Sequence, residues 1–154
     1  PEIPCANTCA PTAFPNRVVR SYREVSLSTS AEADEAKGDS MSKIDYNGRT
    51  FRSVSNSENG EVSAETIFHY SQEGRLVTAA YSGGGILAGS LIAVVDEEGV
   101  LDMRYQHVNE RFELMTGKCV SRPEILPNGK IRLHEEWQWT CKDYSKGRSV
   151  IEEI

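Results

Sequence analysis

The chain has 154 residues, 38% hydrophobic and 26% charged, with a formal net charge of -6. That length accommodates one ordinary domain with a single core. No apolar run reaches the ~18 residues that would cross a bilayer, and an acidic balance without a Lys/Arg cluster argues against a general binder of phosphate backbones. A cytoplasmic protein with neither nucleic-acid nor membrane partners is the expectation.

Residues 1–43 stand apart in composition. A proline-containing start without the basic flank and apolar block of a signal peptide leads into RVVRSYREVSLSTS and the polar AEADEAKGDSMSK. No lasting periodicity is present, so this stretch buries too little to offset the entropy of ordering and is expected to be a flexible extension, with a short helix at most over Ala31–Lys37. Met41 opens a segment that reads as a complete domain by itself, with the barrel over residues 44–154, so the first forty residues are expected to come from an upstream start or an artificial addition. The four cysteines, Cys5, Cys9, Cys119 and Cys141, match no zinc or redox spacing. Reduced thiols are expected, with a Cys119–Cys141 disulfide as the alternative.

From Tyr46 onward the punctuation becomes regular, with Asn47-Gly48, Asn59-Gly60, Glu73-Gly74, Gly83-Gly84-Gly85, Glu98-Gly99 and Asn128-Gly129 separating apolar or β-branched runs. These are hairpin signals. They predict strands over Thr50–Ser55, Val62–Gln72, Leu76–Ser82, Ile86–Asp96, Val100–Asn109, Leu114–Arg122, Ile131–Thr140 and Ser149–Ile154. Short connections make each strand antiparallel to the one before. A twisted meander of this size removes its edges by closing, so the predicted fold is an all-β, eight-stranded, up-and-down barrel of calycin-like type.

The segment KIRLHEEWQWT, Lys130–Thr140, anchors the assignment of faces. With period two, Ile131, Leu133, Glu135, Trp137 and Trp139 share one side, apolar except for a single carboxylate. Burying Glu135 among indoles is costly unless it is paired. A two-residue loop makes an even position on one strand oppose an odd position on the next. Carried back from Glu135, that rule places Arg122, Val120, Lys118, Thr116 and Leu114 inside, then His107, Tyr105, Met103 and Leu101, then Val94, Ile92, Ser90 and Ala88. Tyr81, Ala79 and Val77 follow, then Tyr70, Phe68, Thr66 and Ala64. Pro123 and Pro127 make the register near Arg122 the weakest link.

The inferred interior is more polar and aromatic than a filled core needs. Tyr70, Tyr81, Tyr105, His107, Lys118, Arg122, Glu135, Trp137 and Trp139 are the candidate ligand-binding residues, because amphipathic aromatics with a few convergent polar groups line small-molecule cavities. An ordinary filled core is the alternative, since a barrel of eight strands is just wide enough for either. Arg122 is the expected partner of Glu135. An unpaired Glu135 would have a raised pKa and could act as a general acid or base, which keeps an enzyme reading open. His107 is expected to lie too far along its strand to reach Glu135. Of His69, His107 and His134 only His107 points inward, which argues against a metal site. Gly83-Gly84-Gly85 reads as a hairpin rather than a phosphate cradle, no G-x-S-x-G elbow is present, and no cofactor is expected.

The segments YNGRTFRSVSNSENGEVSAETIFHY, MRYQHVNE, LMTGKC and RLHEEWQW resemble a family of small, mainly bacterial proteins that are often labelled N-acetylglutamate synthase. The resemblance covers residues 41–154. It implies membership of that family and not the activity, since an acetyltransferase needs a mixed α/β pattern and an Arg/Gln-x-x-Gly-x-Gly/Ala loop, and this chain has neither.

Two functional readings share the cavity: a module that binds a small molecule against Trp137, Trp139 and Tyr105 with Lys118 or Glu135 orienting it, and an enzyme with Glu135 as acid/base. A domain with a filled core is the third. One further feature is ILAGSLIAVV, Ile86–Val95, where both faces are apolar. The outward set, Leu87, Leu91, Ala93 and Val95, lies beside Leu76 and Ala80 and forms a patch large enough to be a contact surface. A homodimer through Leu87, Leu91 and Val95 is the expected cover; the alternative is the N-terminal segment through Val18, Val19, Tyr22 and Val25.

Overall fold

The computed structural model describes residues 42–154. The expectations for the preceding segment, including its flexibility, the helix over Ala31–Lys37, Cys5, Cys9 and the cover through Val18 to Val25, lie outside the described residues.

Eight strands follow one another in a closed antiparallel barrel: β1 (Thr50–Asn56), β2 (Ile67–Glu73), β3 (Leu76–Gly83), β4 (Ile86–Val95), β5 (Leu101–Asn109), β6 (Leu114–Ile125), β7 (Ile131–Trp139) and β8 (Lys146–Glu153). Every strand pairs with its neighbours in sequence, and β1 closes the ring against β8. Closure satisfies the backbone groups that an open sheet would leave at its edges. The up-and-down order follows from the short hairpins, which leave the chain no length for a crossover. Strand β2 begins at Ile67 rather than Val62, because Ser63–Thr66 folds into a turn in which the Thr66 amide donates to the Ser63 carbonyl and the Ser63 amide to Thr66 Oγ1. The residues before it are free to cross the barrel end.

The predicted inner faces of β2, β3, β5 and β7 are correct within the strands, whereas Ala64, expected inside, precedes β2 and is exposed. Phe68, Tyr70, Val77, Ala79, Tyr81, Leu101, Met103, His107, Leu133, Trp137 and Trp139 are all buried. Those of β6 and β4 are inverted. On β6 the inward residues are Met115, Gly117, Cys119 and Ser121, leaving Lys118 and Arg122 exposed on the outer surface. On β4 they are Leu91, Ala93 and Val95, with Ser90, Ile92 and Val94 outside.

The cause is loop length. Leu126 N donates to Lys130 O and Gly129 N to Leu126 O, so β6 and β7 are joined by a loop of three residues, 127–129, with Gly129 at φ +80°. The same pattern joins β4 to β5 through 97–99, with Gly99 at +90°, and β5 to β6 through 110–112, where Phe112 holds the left-handed position at +58°. A loop of this kind, a type I turn followed by a left-handed residue, keeps parity where a two-residue loop changes it. Two missed changes cancel at β5, and the third cancels at β3 against a bulge between Tyr81 and Gly83. Only β6 and β4 emerge on the wrong face.

The β2–β3/β4–β5 end is plugged. Tyr46 is completely buried there, its hydroxyl donating to Gly99 O at 2.6 Å and its amide to Gln72 Oε1 at 2.8 Å. Its ring packs with Phe51 and Tyr70, and Phe51 meets Tyr70 edge-on at 4.9 Å between centroids. Leu101, Leu133 and Ile151 fill the rest of this layer, each such side chain adding about 1.5–3 kcal/mol by burial. Cys119 and Cys141 are free thiols rather than a disulfide.

Candidate functional site

The opposite end holds the interior site. Three rings lie across glycines on neighbouring strands: Tyr81 opposite Gly89, Tyr105 opposite Gly117 and Trp137 opposite Gly147 are direct cross-strand pairs. A Cβ at any of these glycines would overlap its ring. Without one, the ring lies back against the barrel wall and leaves the axis open. Phe68 stacks on Tyr81, and Trp139 meets Tyr105, His107 and Trp137 at centroid distances of 5.5–5.8 Å.

Between these rings is a cavity of about 50 Å³. One water needs ~10–15 Å³ on this measure, whereas pockets for drug-sized molecules begin near ~300 Å³. Room therefore exists for a small group, and a larger one needs the mouth to open. The mouth is covered by the β1–β2 loop, which is tied to the ring layer at several points. Trp139 Nε1 donates to Asn59 O at 3.1 Å and Trp137 Nε1 to Asn56 Oδ1 at 3.2 Å, while Asn56 Nδ2 donates to Val62 O at 2.9 Å. Glu61 reaches inward to His107 Nε2 at 2.8 Å and accepts from Asn109 Nδ2 at 3.2 Å. The other ring nitrogen of His107 lies 3.0 Å from the Tyr81 hydroxyl, which also donates to Gln106 O.

Glu135 projects from the middle of β7 into the cavity. Its oxygens accept from Ser121 Oγ at 2.9 Å and Ser149 Oγ at 2.6 Å, and its remaining accessible surface faces the cavity. Burial raises its carboxyl pKa above the ordinary 4.5, with the two serine hydroxyls pulling the other way. Nearby, the Tyr70 hydroxyl is buried with no hydrogen-bond partner, alone among the buried side-chain polar atoms of the described residues. Burial raises its pKa first, and the charge of Glu135 second. Burial likewise pushes up the Tyr81 and Tyr105 hydroxyls and the Cys119 thiol.

Six of the residues expected from sequence, Tyr81, Tyr105, His107, Glu135, Trp137 and Trp139, converge on this cavity. Tyr70 belongs to the adjoining filled layer. Lys118 and Arg122 are carried outward by the inverted face of β6, so the expected Arg122–Glu135 pair does not form and two serines occupy its place. His107 pairs with Glu61 and not with Glu135, in keeping with its expected height, and His69 and His134 are exposed. A two-residue loop would turn Ser121 outward; the three-residue loop between β6 and β7 brings it opposite Glu135. Ser149 stands opposite Glu135 on the other side. Glu61, on an irregular loop, carries no periodic signal.

Residues 44–154 match the model of a family described as avidin-like protein, small β-barrels that bind small molecules and often form oligomers. No curated protein and no solved structure matches the chain. The match lends no support to the N-acetylglutamate synthase label. With the family model spanning the whole barrel, from the plug to the last strand, the chain belongs to the avidin-like protein family.

Proposed function

We propose that the barrel binds its small molecule in the cavity at the β1–β2 end, with the ligand's apolar body against Tyr81, Tyr105, Trp137 and Trp139 and its polar end on Glu135. The observation that carries this reading is the placement of Glu135: a carboxylate enclosed by aromatic rings, hydrogen-bonded to two neutral hydroxyls and open to a cavity. A core built only for stability would gain by replacing such a group with an apolar one. Because Trp139 bonds the covering loop and Trp137 bonds Asn56 at the end of β1 that leads into it, a ligand that enters beneath the loop changes their surroundings. Tryptophan fluorescence across a metabolite panel is the test: a saturable change that Trp139→Phe diminishes is the expected result, and no response to any compound defeats the reading. Glu135 with its raised pKa also supports an acid/base role, in which case Glu135→Gln retains binding and loses turnover.

We also propose a homodimer through the outer face of β3 and β4. Leu91 and Val95 are inside the barrel, which removes two of the three residues expected for this contact. The strand is nevertheless apolar on its outer side, where Leu87, Ile92 and Val94 are about half exposed, beside Leu76 across the β3–β4 ladder. An Ile92→Glu variant is expected to stay folded and become monomeric. A parent that is monomeric by light scattering at high concentration defeats this proposal.

A further inference from the structure

We propose that the ligand of the interior site is a small cation, a primary or methylated alkylammonium whose charge rests on the Glu135 carboxylate. The inference rests on the cavity being the ligand site, and goes beyond it in naming the chemical class. Two inventories lead there.

The first is of charge. Among the described residues two carboxylates, Glu61 and Glu135, line the cavity, and neither a lysine nor an arginine does. Glu61 already has the Arg111 guanidinium at 3.7 Å and a hydrogen bond with His107 Nε2 at 2.8 Å. Among the described residues Glu135 has two hydroxyl partners but no countercharge. Enclosing a carboxylate without one is costly, and a bound cation supplies it.

The second is of hydrogen bonds. The indole N–H groups of the ring layer are given to Asn56 Oδ1 and Asn59 O, the Tyr81 hydroxyl goes to Gln106 O, and the hydroxyls of Ser121 and Ser149 go to Glu135. Among the polar lining groups that leaves as donors the Tyr105 hydroxyl, the second Nδ2–H of Asn56 and the weak Cys119 thiol, which lies 3.9 Å from Ser121 Oγ, with the unpartnered Tyr70 hydroxyl in the adjoining layer. An ionised carboxylate offers about four acceptor positions, of which the serines take two. The site is thus short of donors and rich in acceptors, the reverse of what a carboxylate or phosphate ligand requires. Electron-rich ring faces attract a cation in the same space, and a cavity of about 50 Å³ suits a small one. Since an ammonium group binds the ionised form of Glu135, its affinity rises with pH as that carboxyl loses its proton, and a neutral ligand shows no such rise.

The test is isothermal titration of the full chain with n-butylammonium and tetramethylammonium, against n-butanol and butanoate, in the parent and in Glu135→Gln. The expected result is an ammonium ion bound roughly tenfold or more tightly than its neutral isostere, the preference vanishing in Glu135→Gln, since a hydrogen bond to a charged group contributes about 1.5–3 kcal/mol. The pH dependence in the parent gives the same answer should the variant misfold. Equal binding of butanol or butanoate, absence of ammonium binding, or an ammonium affinity that ignores pH overturns the proposal. If neutral or anionic metabolites still perturb the tryptophans, the binding barrel survives and only the cation is lost; if nothing of any charge binds, both fall.

Discussion

The two ends of the barrel use the same strands for opposite purposes. At the plugged end Tyr46, Phe51, Tyr70, Leu101, Leu133 and Ile151 close on one another until at most 2% of any of them is exposed. At the mouth three of the rings face glycines, the indole tips bind the segment that covers them, and a carboxylate stands in the gap. Close packing at one end holds the ring closed, so the other can tolerate a cavity and a buried acid, features that would each cost stability in a domain built for packing alone.

The largest effect is expected at the plug. Tyr46→Ala removes a fully buried ring and the donor to Gly99 O, and should lower stability by about 3–5 kcal/mol in urea unfolding. A loss below about 1 kcal/mol would mean that this end is no more essential than the mouth. Next is Gly117→Ala, whose methyl group collides with the Tyr105 ring. Overpacking of this kind costs about 1–3 kcal/mol, and the displaced ring should also weaken ligand binding; a variant that binds as the parent does would show that the glycine leaves no useful space.

Glu135→Gln acts through pH. Because the folded-state carboxyl pKa is raised, the native state holds its proton more tightly than the unfolded chain does. The contribution is fully present below the ordinary value of 4.5 and is lost as pH rises from there through the raised value. Urea midpoints of the ligand-free parent should therefore fall relative to those of Glu135→Gln over that window. Parallel curves would place a countercharge beside Glu135 after all. The smallest effect belongs to Arg122→Met: with the side chain in solvent, the change should stay within about 0.5 kcal/mol, and a loss of several kcal/mol would return Arg122 to the interior.

Much of this architecture was legible in one dimension. The glycine-marked turns, the strand count and the alternation in IRLHEEWQW are local properties, set by backbone sterics and by the two-residue period of a strand, so the barrel, the inward Glu135 and its indole neighbours could be read directly. Which face β6 and β4 present could not. Asn128-Gly129 and Glu98-Gly99 look alike whether the loop between strands has two residues or three, and at Phe112 the left-handed position carries no glycine to mark it. One residue of loop length decides whether Lys118 and Arg122 or Cys119 and Ser121 face the cavity. The partners of Glu135 and the contact of Glu61 with His107 were likewise decided only by tertiary structure: Ser121 and Ser149 stand opposite Glu135 only once the β6–β7 and β7–β8 hairpins set their register, and Glu61 meets the distant His107 only once its loop crosses the barrel end.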